Sequence, residues 1–363
     1  FVWAKQLGGL NEDQASCIKI DLTGNIFISG TFQGTMDADP GASTSFMTSI
    51  GGHDMLIEKL DFAGNLIWAK QFGGPSDDRM TSISIDNSNR VYATGSFQGS
   101  ADFDPSASVY NLNAVGNSDI FVLKIDQSGS LNWVKQFGGN NDESGQGIAV
   151  EASGSVITVG EFQGNVDFDP GVSGTFNYAS NGDNDTFITK LDSSGNFTWA
   201  KKIGDVSNDI AFDVKINSLN ELVFTGVYTG TVDFNPGTAV NNLINSGAFV
   251  AKLNSNGDYV WAVSFSKPTL LTISPIGYSL ALDNANNIYT GGKFSNSAMW
   301  SPLGSYVLND YGHDTIAAYA SKISTTAVLK WAYNSVSSID KYPTTIQLDT
   351  VGNVYSSGVY SSN

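Results

Sequence analysis

The sequence predicts an all-β chain built from repeated four-stranded antiparallel units, and three observations carry that prediction. Six tryptophans, Trp3, Trp68, Trp133, Trp199, Trp261 and Trp331, recur at spacings of 65, 65, 66, 62 and 70 residues, each in a variant of Trp-Ala-Lys-Gln-Phe-Gly-Gly. Between them, short runs of β-branched and aromatic residues alternate with Asp- and Gly-bearing turns. Helical periodicity is absent throughout. A fixed period of this length marks units that bury their apolar faces only against their neighbours.

The second unit shows the elements in order. Ser82–Asp86, Val91–Phe97, Ile120–Asp126 and Leu131–Lys135 are each rich in Val, Ile, Tyr, Phe or Trp and read as strands. The first and second strands, and again the third and fourth, are joined by a turn whose commonest form is Asp-x-x-Gly-Asn. The opening Asp accepts backbone hydrogen bonds, and the residue three places on must take positive φ. That position holds Gly24, Gly64, Asn89, Gly129, Gly154, Gly195, Asn220, Gly257, Asn286 and Gly352, with Ala327 the one exception among eleven turns.

Four antiparallel strands per repeat, arranged around an axis, is the plan of a β-propeller blade. Five blades are expected at about 16–70, 81–135, 147–201, 211–263 and 278–332. A sixth is split between the termini, with two strands at 344–360 and the last at Val2–Leu7. The alternative is a seven-bladed ring with missing parts. No Pro/Ser-rich linker interrupts the repeat, so 1–363 reads as one propeller domain.

Composition narrows the function. With 35 acidic against 18 basic residues the net charge is -17, and Arg79 and Arg90 are the only arginines, so nucleic acid and anionic membranes are excluded as partners. No apolar run approaches the ~20 residues of a membrane span. Cys17 is alone, which rules out intrachain disulfides and leaves the compartment open. The sequence starts inside one repeat and stops inside another, so a fragment of a larger protein is expected.

The phrases Ile-Asp-x-x-Gly-Asn-Ile/Val-Tyr-x-Thr-Gly-x-Phe and Lys-Leu-Asp-x-x-Gly-Asn-x-x-Trp resemble the bacterial β-propeller repeat family called SBBP, a relative of the NHL repeats, over nearly the whole chain. The resemblance implies an exported or cell-surface bacterial protein, often cargo of the type IX secretion system with a separate sorting domain. It carries no catalytic residue. The Trp phrase is also similar to the tryptophan-docking motif of quinoprotein dehydrogenases, and the turn to the Asp-box of sialidases, but one Cys and two Arg do not supply the working parts of either. The six tryptophans are therefore read as packing between blades.

All the short turns fall at one end of the blades, and the long connections at the other. Loops of about 20 residues between second and third strands exceed the usual length for unstructured connections, so binding is expected on that face. Four of these loops carry acidic pairs: Asp37 and Asp39, Asp102 and Asp104, Asp167 and Asp169, and Asp233 and Asn235, each followed by Pro. Residues i and i+2 of an extended segment point the same way, so each pair is a candidate calcium site, with turn capping as the rival role. Calcium is the one cofactor considered. The recurring lysines of the same phrases, Lys59, Lys124, Lys190, Lys252 and Lys322 before the turn and Lys5, Lys70, Lys135 and Lys201 after Trp, are expected to pair with the acidic loops. His53 and His313 read as isolated surface histidines.

The fifth unit breaks the pattern. The acidic pair gives way to Ala298-Met299-Trp300-Ser301-Pro302, with Tyr306, Tyr311 and His313 nearby, and an aromatic cluster on a loop face suits stacking against sugar rings or peptide side chains. The resulting expectation is a non-enzymatic, extracellular or cell-surface module recognising glycan or protein. A carbohydrate-active enzyme using loop carboxylates and a calcium-stabilised spacer are the alternatives. Type IX machinery would engage regions outside this chain.

Overall fold

A computed structural model describes residues 2–171, 174–267, 274–301, 306–309, 316–335 and 341–360, and among these there is no helix. The chain divides into two compact units, Phe1–Thr158 with Phe162–Ala179 and Thr189–Thr198, and Val159–Glu161 with Ser180–Ile188 and Trp199–Asn363.

The first unit holds two antiparallel meanders, Asp13–Ile20, Ile26–Asp37, Phe46–Leu60 and Leu66–Phe72, then Arg79–Ile85, Val91–Phe97, Asp119–Ile125 and Leu131–Phe137. A third meander, Ser144–Val150, Val156–Phe162, Asp185–Leu191 and Phe197–Ile203, contributes residues to both units. The second unit holds Ile210–Ile216, Leu222–Tyr228, Gly247–Leu253 and Tyr259–Ser266, followed by Ile276–Leu282, Ile288–Ser295, Ile316–Ile323 and Leu329–Ser335. In each meander consecutive strands pair, so the second and third strands are paired on both sides. Lys341–Leu348 and Val354–Tyr360 form a separate two-stranded sheet.

Turn chemistry follows from the sequence at every hairpin. All eleven fourth turn positions have positive φ, from 56° at Asn89 to 91° at Gly352, and Ala327 adopts it too at 63°. In each, the backbone N–H of that residue returns to the carbonyl of the first turn residue, as Gly64 does to Asp61 at 3.0 Å. Where that residue is Asp, its carboxylate also accepts from the backbone. Asp61 Oδ1 takes the N–H groups of Ala63 and Asn65, both at 2.9 Å, and the bond from Asn65 heads the causes that hold this carboxyl below its ordinary pKa.

Consecutive meanders pack face to face. In the first unit Phe27, Met55, Ile57 and Phe72 of one sheet share a core with Met80, Ile83, Val91 and Phe121 of the next. In the second unit Val223, Val250 and Phe265 meet Leu280, Ile288 and Tyr319. The tryptophans lock these joints from the short-turn end. Trp68 Nε1 donates to the carbonyl of Gln127 at 3.1 Å, and Trp261 Nε1 to that of Thr325 at 3.1 Å.

Val2–Leu7, expected as the last strand of the split blade, is not a strand. It lies instead along the first meander, where Trp3 Nε1 donates to Phe62 O at 3.3 Å and Leu7 packs against a cluster of Phe32, Met36, Ala38 and Leu56. The physical reason is that the docking contacts of Trp3 and Leu7 hold the segment without a strand ladder.

Candidate binding face

The connections between second and third strands are structured. In the second meander Ser100–Asp102 pairs with Asn111–Asn113, and the same small hairpin recurs as Asn165–Asp167 with Asn177–Ala179, Val232–Asp233 with Asn242–Leu243, and Ser297–Ser301 with Val307–Asn309. In the first meander it is an extension of the main strands, with Thr35–Asp37 opposite Phe46–Thr48. This corrects the reading of the segments as long irregular loops. The second, third and fifth hairpins also reach back to the preceding meander: Gly73 N donates to Asp102 O at 3.0 Å and Asp102 N to Gly73 O at 2.9 Å, Gly138 bridges Asp167, and Ser264–Ser266 pair with Met299–Ser301.

The acidic pairs cap these hairpins. Asp37 Oδ1 accepts from the N–H groups of Asp39 at 3.0 Å and Ser45 at 2.8 Å; Asp102 Oδ1 from Asp104 and Tyr110; Asp167 Oδ1 from Asp169 and Phe176; Asp233 Oδ1 from Asn235 and Asn241. Asp39, Asp104, Asp169 and Asn235 each cap one turn further on, through their own Oδ1 atoms. Among the described residues no group of three or more His, Cys, Asp or Glu is arranged to hold a metal ion.

Trp300 is not a surface aromatic; it is 1 % exposed. The hairpin alignment explains this. Its N–H bonds to the carbonyl of Tyr306 as that of Phe103 does to Tyr110, Phe168 to Phe176, Phe234 to Asn241 and Ala38 to Ser45. Trp300 is the fifth copy of a buried hairpin plug, with Phe265 at 4.9 Å between ring centroids. A larger ring at that position made it look like an addition to the pattern. Its indole N–H is buried and unbonded among the described residues. Tyr306 does reach solvent, 38 % exposed, while its hydroxyl donates to Ala332 O at 2.5 Å. Tyr311 and His313 lie outside the described residues.

What the sequence reading missed is the residue at the Tyr306 position in other units. In the first unit Tyr110 and its neighbour Val109 are exposed on the second hairpin, and Phe46 on the first. In the second unit Val240, Ile244, Tyr306 and Val307 are exposed on their hairpins. The signal was present: Phe46, Tyr110 and Val240 fall seven to nine places after the capping Asp, at or just before the start of the returning strand.

Beneath the hairpins lie carboxylates removed from water. Asp54 and Asp78 both approach Gly73, and the second and third meanders repeat the arrangement with Asp119 and Glu143. Burial, with neighbouring carboxylates adding to it, pushes Asp78 and Glu143 up to about 7; in the second unit it does the same to Asp209, beside Asp205 and Asp185. His53 is also drawn in, correcting its reading as an isolated surface residue. Its Nδ1 lies 2.9 Å from Asp77 Oδ1 and its side chain is 16 % exposed.

The lysines face the other end. Lys190 pairs with Glu151 at 2.5 Å, Lys252 with Glu221, and Lys322 with Asp283 at 3.1 Å, all acids of the first-to-second-strand turn. For Lys190, Lys252 and Lys322 the expectation of pairing with the long loops is therefore corrected, because third-strand lysines sit near the short-turn end of their strands, within reach of these acids; Lys5 does reach the first acidic loop, donating to Pro40 O at 3.5 Å.

The family model described as Beta-propeller repeat, SBBP, matches residues 67–99, consistent with the resemblance read from the turn and Trp phrases. An uncharacterized WD repeat-containing protein of Acanthamoeba polyphaga mimivirus is 20 % identical over all of this chain, which spans 31 % of that protein. The regulatory protein FlaEY of Caulobacter vibrioides is 23 % identical over 65 % of this chain and 25 % of its own length. The chain thus spans a third or less of the curated relatives it matches. A Bacteroides caccae protein of unknown function, solved as a crystal structure, covers 77 % of this chain and 90 % of its own with 9 % identity and a TM-score of 0.36.

Proposed function

We propose that this chain is a non-enzymatic binding and scaffold module of β-propeller type, whose hairpin end recognises glycan or protein. One observation carries the reading: every described hairpin is built on a buried plug, four of the five also on a capping carboxylate, and most of them hold apolar or aromatic side chains out to solvent. A rigid base with exposed Phe46, Val109, Tyr110, Tyr306 and Val307 suits ring stacking and apolar contact better than it suits catalysis. The same reading closes the repeats into a six-blade ring and has the module displayed outside the cell within a larger exported protein. A leader and a sorting tail in the full-length reading frame test that last part.

The binding part is tested by glycan and peptide arrays run with wild type and a Tyr110→Ala/Tyr306→Ala variant, beside a glycoside hydrolysis screen. Saturable binding lost in the variant is the expected result. Turnover without stable binding would replace this reading with the carbohydrate-active one. Calcium is an arm of the same test. Because the Asp37, Asp102, Asp167 and Asp233 Oδ1 atoms already cap backbone N–H groups, the melting temperature should be equal in millimolar calcium and in excess chelator.

A further inference from the structure

The first two hairpins enclose a cleft of about 440 Å³, within the roughly 300–1,000 Å³ of ligand pockets. All of it belongs to the first compact unit. Its floor is the fourth strand of the first meander, along Ala69, Gln71 and Gly73. One wall is the returning strand of the first hairpin at Thr48 and Ile50, and the other is the turn of the second hairpin at Asp104, Pro105 and Ser106.

The two sides differ in chemistry. Ile50 is exposed, and so is Phe46, two residues before Thr48 and on the same strand face, which makes that wall apolar. The opposite wall and the floor carry acceptors. Asp102 and Asp104 spend their Oδ1 atoms on backbone caps, and neither Oδ2 atom has a partner among the described residues. Gln71 spends its amide N–H groups on Thr48 O at 2.8 Å and Asp54 Oδ2 at 2.5 Å, which leaves Oε1 as an unused acceptor. Ser106 Oγ accepts from Ser108 N at 3.1 Å and keeps its O–H to donate. The bonds these groups already make hold them in place, so a ligand need not order them.

Charge narrows the ligand class. Lys70 is the one basic residue lining the cleft among the described residues, and its stem runs away toward the short-turn end, with Cε 2.6 Å from where a Cβ on Gly129 would stand. A ligand therefore meets carboxylates, an amide oxygen and a hydroxyl, an arrangement that repels anions and favours hydrogen-bond donors.

We propose, resting on the hairpin end as the binding surface, that this cleft takes a neutral glycan, with one pyranose against Ile50 and its hydroxyls donating to Asp102 Oδ2, Asp104 Oδ2 and Gln71 Oε1. A pyranose matches both sides at once, with a C–H face for the apolar wall and hydroxyls on its rim for the acceptors. A lysine or arginine side chain would use the acceptors and leave most of the apolar wall bare. A uronate would set its carboxylate against Asp102 and Asp104.

The test titrates fluorescein-labelled cellohexaose, mannohexaose and galactohexaose into the whole chain in excess chelator and follows anisotropy, with hexagalacturonate and an oligolysine beside them. At least one neutral sugar should saturate, with the same affinity at low and high salt. Asp104→Asn keeps the cap, as Asn235 does in the fourth hairpin, and replaces the Oδ2 acceptor with a donor. It should weaken that sugar about tenfold, the worth of a hydrogen bond to a charged group, with an unchanged melting temperature. Equal affinity for Asp104→Asn, or binding confined to hexagalacturonate or oligolysine, would overturn the cleft and leave hairpin-end binding standing. Saturation by no neutral sugar would also overturn it, whereas hairpin-end binding falls only if the peptide array is empty as well.

Discussion

Glu58 shows what one residue out of register with its repeat costs. It is fully buried on the strand Phe46–Leu60, and neither carboxylate oxygen has a hydrogen-bond partner among the described residues. Burial, reinforced by Asp39, pushes it up to about 8. The residue before the third-strand lysine is Leu123 in the next unit, Ala251 in a later one. Glu58, Asp78, Glu143 and Asp209 all bind protons more tightly in the folded chain than in the unfolded one, where carboxyls titrate near 4. Their sign is therefore the reverse of an ion-paired acid. Stability falls as pH rises from about 4 through about 7 to 8, and is flat beyond. Turn carboxylates such as Asp61, held low by their caps, act oppositely and lose stability only in acid. The melting temperature should accordingly peak near pH 5 and be lower at pH 8.5. Glu58→Leu should raise it at pH 8.5 and shrink the pH dependence; a profile that rises from pH 5 to 8.5 contradicts this reading. Trp300 gives a second test at this scale. Trp300→Ala should cost about 3–5 kcal/mol by leaving a cavity, whereas Trp300→Phe, the residue of three sister hairpins, removes a buried unbonded N–H and should cost under about 1.5 kcal/mol, both read from urea denaturation.

At the scale of elements, the turns were the most legible feature. Their left-handed position was visible because only Gly, Asn or Asp adopts it cheaply, and the one violation was real: Ala327 does carry φ 63°. A left-handed residue with a Cβ costs about 1–2 kcal/mol, and the added freedom of glycine in the unfolded chain returns part of that. Ala327→Gly should therefore raise the unfolding free energy by about 0.5–1 kcal/mol. No gain in the urea midpoint would show that the rest of the turn imposes no strain there. The 2–3 connections were less legible. Their short strands of two or three residues fall below the length at which alternation is detectable, and their burial comes from Phe103, Phe168 and Phe234 reaching into a neighbouring core. That contact is non-local, so the equivalence of Trp300 with those Phe residues emerges only when backbone bonds align the hairpins. Capping by the Asp pairs was readable from Asp-x-Asp-Pro; the second acceptor bond, eight or nine residues on, was not.

For the molecule as a whole, the period alone conveyed that neighbouring sheets share cores, since a four-stranded unit with two apolar faces has nowhere else to bury them. It did not convey how Val2–Leu7 is used, because a Trp docked on a turn and a Trp in a paired strand leave the same trace in sequence. The account rests on that docking: at Trp3, Trp68, Trp133 and Trp261 an indole N–H is fastened to a turn carbonyl, whereas the buried Trp199 indole N–H has no partner among the described residues. Hydrogen exchange of the tryptophan side chains, followed by NMR and assigned with single Trp→Phe variants, tests it most directly. Trp68, Trp133 and Trp261 should exchange slowly, while Trp331, with no carbonyl partner among the described residues, should exchange fast. Fast exchange at the three docked indoles, or protection of Trp331 equal to that of Trp133, would contradict it.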